Sequence, residues 1–394
     1  MEITNKRKKT KSLLKSKYIP PELLPLIFAT LPVKTLVSFR CVCKSWCSVI
    51  DHPDFVSMHL KLCKTNIDSK KLLAIEGFGD YGYEGCLLTV RHSNTLRKSA
   101  QLFRSSEITR LLGKCNGLLL MRCSNELRLW NPCIRKSLAI PPCPLCQPWF
   151  CPVVFLFGYA NDSKDYKIIA ISFEEDEIRM TGPVRNIRVA VYTLNDQQWR
   201  VRNNHDLNIS CWYFGHMFPR NYHQTIVLKS LIFQGAAYWI EKDPNNPDSY
   251  ESTHLVSLDF DLEKFTYLEL PFTSEERRAL KKFVFRLGES LAVFSALYQT
   301  ARIWVMKQEV WTPWFSGPLC WHNCPKELPV FYSESDAGRC LLSGKYSYNI
   351  DSCQVRSLGR QMSSHLNLET YFESLALCKG YGAKDLTSSP VYLE

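Results

Sequence analysis

Side chains able to do chemistry fall into four loose groups in this chain of 394 residues. The first is cysteine: Cys143 and Cys146 with Cys151 behind them, and Cys320-Trp321-His322-Asn323-Cys324. Thiolates and imidazoles so spaced are zinc ligands in many proteins, but structural zinc takes four ligands, commonly as two close pairs. These two pairs stand far apart in sequence, among prolines and tryptophans as loops do, and no metal is expected. The second group is His205, His216 and His223 near Cys211 and Trp212. Scattered loop or core histidines explain it. The third is Asp259 and Asp261, which alternate on a strand and so share one face. Paired carboxylates can do acid–base work, yet a polar turn after the strand accounts for them better. The fourth, Trp311, Trp314 and Trp321, could meet a ligand but is expected mainly to pack. No GxSxG elbow, phosphate-binding glycine loop, HExxH helix or EF-hand loop occurs. No catalytic residue and no cofactor are expected.

Charge and cysteine narrow the class further. The net charge is +11, but seven basic residues fall within 1–17 against the single acid Glu2. A chain-wide field for nucleic acid is therefore not indicated. The run KRKKTK reads as a solvated, disordered tail, with a nuclear address as the alternative. No apolar run approaches the ~18 residues of a membrane span, and no signal-peptide core is present. Seventeen cysteines, an odd number, fit a reducing compartment. The expectation is a soluble protein of cytoplasm, nucleus or both, with no membrane partner.

The elements that would position these groups are mostly strands. From Leu72 onward short apolar runs alternate with turn signals, as in LLLMRC, ELRLWNP, VVFLFGY, YKIIAISF and SLAVFSALY. TSEERRALKK, Thr273 to Lys282, is the best helical exception. A strand–turn–strand sentence recurs with anchors at Trp130, Tyr192, Leu258, Ile303 and Tyr348. Such spacing is near that of kelch-type blades, and the run has room for about six of them. A blade cannot bury both faces of its sheet alone, so neighbours must stack and a ring limits exposed edges. A β-sandwich pair is the alternative. The apolar segment TYFESLALC, Thr370 to Cys378, is expected to pair with Leu72–Gly77 and close the ring.

Before this lies Tyr18 to Ile50, YIPPELLPLIFATLPVKTLVSFRCVCKSWCSVI. Pro20 and Pro21 suit a first helical turn, Leu23, Leu24, Ile27, Phe28 and Leu31 recur at helical spacing, and Pro32 ends the helix. Further helices are expected over Val33–Val42, Lys44–Ile50 and from Pro53. The stretch holds more large apolar side chains than short helices can hide, which fits a partner site and equally a helical subdomain packed on the rest of the chain.

The blocks Ile19-Pro20, LPVKTL and RCVCKSW, in this order and without a gap, closely resemble the F-box. CNGLLLM, LWNPCIRKSLAIPP, FGYANDSKDYKIIAISF, VYTLNDQQWR, FQGAAYWI, SLDFDLEKFTYLELP and YFESLAL resemble the plant F-box-associated domain. The resemblance implies an α+β multidomain chain: a small N-terminal helical F-box, then a mainly-β domain, a six-bladed kelch-like β-propeller. The expected bounds are a basic tail 1–17, F-box 18–63, linker 64–71, β domain 72–380 and C-terminal tail 381–394. It further implies a receptor subunit of a ubiquitin ligase, which binds a Skp-type adaptor and through it a cullin. Carried over by position, the adaptor-facing residues are Ile19, Pro20, Leu24, Ile27, Leu31, Pro32, Leu36, Val42, Lys44 and Trp46, some of which must instead hold the F-box together. A protein target is expected on long aromatic connectors at the end of the β domain away from the F-box, with Trp149, Trp212 and Trp321 as candidates. The competing readings are a propeller-fold enzyme and a nuclear protein binding nucleic acid through its basic arm. Nothing in the chain names the target.

Overall fold

The computed structural model describes residues 20–378 apart from 66–70, 79–84, 93–97, 106–108, 124–125, 147–152, 174–186, 203–229, 243–250, 280, 298–299, 319–330, 336–337, 344–345, 350–351, 353 and 358–365, together with 381–382 and 384–385. Four helices come first. Pro21 opens a short 3-10 turn that runs into α1 (Leu24–Ala29). Pro32, extended at ψ 147°, separates α1 from α2 (Val33–Phe39). Then come α3 (Lys44–Ile50) and α4 (Pro53–Thr65). The second helix stops at Phe39, short of the expected Val42. The expected linker is shorter than 64–71, because α4 runs through Thr65 and the first strand begins at Lys71.

The strands then form six sheets among the described residues, five of four strands and one of five. β1 (Lys71–Phe78), β2 (Gly85–His92) and β3 (Lys98–Ser105) join a strand from the far end of the chain, β24 (Leu366–Tyr371), in the order β24-β1-β2-β3. β4 (Thr109–Cys115), β5 (Leu118–Cys123), β6 (Glu126–Asn131) and β7 (Lys136–Ile140) carry a fifth strand, β25 (Lys384–Asp385), beside β7. Four meanders follow: β8 (Val153–Ala160) to β11 (Gln198–Arg202), β12 (Leu231–Phe233) to β15 (Phe265–Glu269), β16 (Lys281–Leu287) to β19 (Val310–Pro318), and β20 (Phe331–Ser335) to β23 (Gln354–Ser357). Within them lie β9 (Asp165–Phe173), β10 (Ile187–Thr193), β13 (Ala236–Lys242), β14 (Ser252–Asp259), β17 (Ser290–Leu297), β18 (Thr300–Lys307), β21 (Gly338–Ser343) and β22 (Tyr346–Asn349). Successive sheets touch mainly through their first strands, β4 on β8, β12 on β16, β16 on β20 and β20 on β24, while β8 meets β13 and β2 meets β4. This is a β-propeller.

Burial explains why the sheets stack. β8 reads VVFLFGYA and is buried on both faces, as a continuous apolar run requires. Val154 and Leu156 pack with Trp239, Val256, Leu258, Phe260 and Phe265 of the next sheet. Phe155 and Phe157 face the other way, onto Leu118, Leu120, Leu129 and Leu138. Full burial of such a side chain stabilises by roughly 1.5–3 kcal/mol. The turn after β14 locks the same pair of sheets. Asp261 accepts from the amides of Asn161, Asp162 and Ser163 at 2.7, 3.0 and 3.2 Å. Phe260 lies so close under Gly158 that a Cβ there would meet its ring at 2.0 Å. Glu263, buried, takes ion pairs from Lys167 at 2.8 Å, Arg200 and Arg202. Asp259 Oδ1 accepts from the amides of Asp261 and Leu262 at 2.7 and 2.8 Å, so both aspartates are turn builders.

Three expectations are corrected. The helix of Thr273 to Lys282 is only α5 (Ser274–Arg277). Its capping box, Thr273 with Glu276, was legible, but Lys281 and Lys282 are drawn into β16 by pairing with Ala296 and Ser295. Ring closure uses Leu366–Tyr371 against Lys71–Glu76: the partner strand is the expected one, but only Thr370 and Tyr371 of the expected segment take part, and Phe372–Cys378 is not strand. The tail 381–394 contains β25 and Tyr381, whose hydroxyl donates to Asn195 Oδ1 at 2.9 Å.

Candidate docking surface

α1 is apolar around most of its circumference. Leu24, Phe28 and Ala29 point inward and are buried. Leu23, Leu26 and Ile27 are spaced for one opposite face and stay 47%, 60% and 42% exposed. A helix apolar on every side belongs in an interior; here only one side has one.

That interior is shared. Phe28, Phe39 and Trp46 meet with ring centroids 5.0–5.7 Å apart. Arg40 clamps Asp51 with two parallel bonds of 2.7 and 2.8 Å, tying the end of α2 to the end of α3; such forked pairs are among the stronger charge-assisted bonds. Leu24, Val33, Leu36, Ile50 and Phe55 complete the cluster together with Cys133 and Leu375 from the β domain. Leu375 is only 2% exposed. The strap 372–378 that carries it is held from below: Asn131 Nδ2 donates to the carbonyls of Ser374 and Ala376 at 2.9 and 2.7 Å. Lys71 pairs with Glu373 at 2.7 Å. Around the edge, Lys64 Nζ reaches Asn116 Oδ1 at 2.7 Å, and Lys164 meets Asp54 at 3.1 Å. The hydrogen bond from Lys164 holds the Asp54 carboxyl below its usual range, while burial pulls the Lys64 ammonium down.

The ten adaptor-facing candidates therefore divide. Leu24 and Leu36 are buried in this shared cluster, and Leu31 and Trp46 are half-buried against it. Pro20, Ile27, Pro32, Val42 and Lys44 remain on the surface, Val42 at 59% exposure. Ile19 lies outside the described residues. Leu23 and Leu26 were missed; their spacing to Ile27 was the available signal. The target candidates Trp149, Trp212 and Trp321 also lie outside the described residues, as do His205, His216, His223, Cys151 and the Cys320–Cys324 group. Trp311 and Trp314 pack against core clusters. Among the described residues no three His, Cys, Asp or Glu side chains gather as a metal site, and no helix is long and apolar enough to cross a membrane.

Comparison with known proteins agrees with this division of the chain. Residues 18–57 match the F-box domain and residues 54–338 the F-box associated beta propeller domain. Among curated proteins the chain is similar to an F-box/kelch-repeat protein of Arabidopsis thaliana, 25% identical over 48% of this chain and 53% of that one. It thus spans about half the length of that relative. It is also similar to the F-box protein CPR1 of the same plant, 24% identical over 92% of this chain and 90% of that one. A putative F-box only protein 11, again from Arabidopsis thaliana, is 26% identical over 82% and 84%. With both domain matches in this order and the first filling most of the helices, the second most of the sheets, the chain belongs to the F-box proteins that carry an F-box associated β-propeller domain.

Proposed function

We propose that this protein is a target receptor of a Skp–cullin–F-box ubiquitin ligase, with adaptor docking on the helices and target docking on the propeller. The observation that carries the reading is the outward apolar face of α1 and the 3-10 turn before it, Leu23, Leu26 and Ile27, which the chain itself leaves uncovered. Val42, Pro20, Pro32 and Lys44 extend the surface offered to a Skp-type adaptor; Leu24, Leu31, Leu36 and Trp46 shape it from beneath. The chain brings two proteins together, and ubiquitin transfer takes place on other subunits. The six sheets act as six blades.

Topology supports a location for the target. Antiparallel meanders put alternate connections at opposite ends of a sheet. The helices meet the turns β4–β5, β6–β7 and β8–β9 through Asn116, Cys133 and Lys164. The chain leaves β7, β11 and β19 at the other end and re-enters there at β8, β12 and β20. The connectors bearing Trp149, Trp212 and Trp321 therefore start and finish at the end remote from the adaptor surface. Aromatic anchors with a polar rim suit protein recognition.

Co-purification with a Skp-type adaptor tests the first half. Leu26→Asp and Ile27→Asp should abolish capture, because a charge in a desolvated apolar contact costs several kcal/mol, while Val310→Asp, equally exposed on the propeller, should not. Undiminished capture by both helix variants would overturn the reading. Proximity labelling with Ile27→Asp, so that targets accumulate, tests the second half: labelling should be lost on alanine replacement of Trp149, Trp212 and Trp321.

A further inference from the structure

The connection that leaves β7 opens Pro141-Pro142-Cys143-Pro144-Leu145-Cys146. The amide of Cys146 donates to the carbonyl of Cys143 at 3.0 Å, which closes a turn around Pro144 and Leu145. A turn of this kind holds its first and fourth Cα atoms within about 7 Å, and disulfide-linked Cα atoms lie about 4.4–6.8 Å apart. Proline in the second position fixes φ and stiffens the turn. Cys143 and Leu145 are buried in the core between the sheet of β4–β7 and that of β8–β11. Cys146 faces solvent. The neighbouring Cys143 thiol, with the charge of Arg122, holds Cys146 below the usual thiol range. Its proximity to Cys146 and its burial push Cys143 up.

The two thiols are thus unequal: one accessible and inclined to the thiolate, the other enclosed and within reach of it. Cys43 is also exposed and held below the usual thiol range by Ser45, but neither of its neighbours Cys41 and Cys47 is enclosed. Burial pushes Cys115 and Cys133 up to about 12, and neither has a second cysteine in its own turn.

We propose that Cys143 and Cys146 are a reversible dithiol–disulfide pair that exchanges with a small disulfide of the glutathione class. The Cys146 thiolate attacks one sulfur of the small disulfide and expels the first small thiolate, leaving a mixed disulfide on Cys146. Cys143 then loses its proton and its sulfur attacks that of Cys146, expelling the second small thiolate. The protein loses two electrons and two protons, and one disulfide becomes two thiols. Thiolate character sets which thiol attacks, and access sets which is reached first. The bond would fasten the first turn of the β7–β8 connector, whichever molecule that connector meets.

The full-length protein is equilibrated over a series of reduced-to-oxidised glutathione ratios, quenched in acid, alkylated under denaturing conditions and read by peptide mass spectrometry. The segment should pass from doubly alkylated to an internal Cys143–Cys146 disulfide, two hydrogens lighter and free of alkyl groups. Cys143→Ser should stop at the glutathione adduct of Cys146, with adduct at least about tenfold above wild type. Cys146→Ser should leave Cys143 without adduct in the native protein. The proposal is overturned if both thiols stay alkylatable in fully oxidised glutathione, if wild type accumulates as much adduct as Cys143→Ser, or if Cys146 pairs with Cys151 or any other cysteine.

Discussion

The two ends of the propeller are built on different plans. At the end under the helices, strands are joined by tight turns: Asn116–Gly117, Gln234–Gly235, 161–164, 194–197 and 308–309. These turns hold most of the left-handed residues, among them Asn116 at φ 51°, Lys164 at 50°, Gln197 at 54° and Gln308 at 48°. At the other end β5–β6, β17–β18 and β21–β22 are also joined by two residues each, but the chain crosses between sheets there, through 141–152, 203–230 and 319–330. Short turns with fixed backbone make a floor that another element can be fitted to. Asn116, Cys133 and Lys164 touch α4 or the helical core from that floor. Long connectors instead leave room for side-chain variety, as binding loops do. One end fixes where the helices sit; the other leaves its connectors room to vary.

The strongest way to break this contrast is to remove residues 366–394. That deletes the closing strand β24, exposing a sheet edge, and withdraws Leu375 from the helical core. The expected result is aggregation and loss of adaptor capture together, read by size-exclusion chromatography and pull-down. A monodisperse product that still binds the adaptor would show that the helices do not depend on the floor.

Leu36→Asp comes next. Leu36 is fully buried, so an uncompensated charge there should cost several kcal/mol and unfold the helical unit, unlike Ile27→Asp, which should lose binding with little loss of stability. Leu375→Ala should destabilise by about 2–5 kcal/mol through the cavity it leaves. Denaturant unfolding followed at Trp46 would check both. If Leu375→Ala changes nothing, the strap is a bystander.

A smaller effect should appear with pH. Burial lowers Lys282 from 10.5 to about 8, with Glu251 partly offsetting it, and its ammonium donates to the Arg277 carbonyl. Between about pH 8 and 10.5 the unfolded chain then binds more protons than the folded one at this site, so the site's contribution to stability rises with pH. Below pH 8 the penalty is fully present. Lys282→Met should therefore gain least over wild type at the top of that window and most at neutral pH, measured as the difference in melting temperature. A pH-independent difference would mean that the lysine is charged and satisfied throughout.

The least effect is expected from deleting residues 1–17, which should leave melting temperature and adaptor capture unchanged. A large fall in either would mean that the basic run holds structure after all.

Local chemistry made much of this legible in the sequence. Prolines 21, 32 and 53 mark where helices start, and apolar runs bounded by turns gave β5, β6 and β8 closely. The recurring strand–turn–strand pattern pointed to stacked sheets, because such sheets cannot bury both faces singly. The docking segment was legible as apolar excess. Which of its residues face outward was not. Leu24 and Ile27 are the same kind of side chain on the same short helix, and periodicity cannot rank two apolar faces. Contacts between distant parts of the chain decided it: Cys133 and Leu375, brought together by ring closure, cover the side bearing Leu24 and Leu36 and leave Leu23, Leu26 and Ile27 in water. The same contacts turned Phe372–Cys378 from a strand into a strap, since pairing with β1 ends at Tyr371 and Asn131 captures the carbonyls that follow.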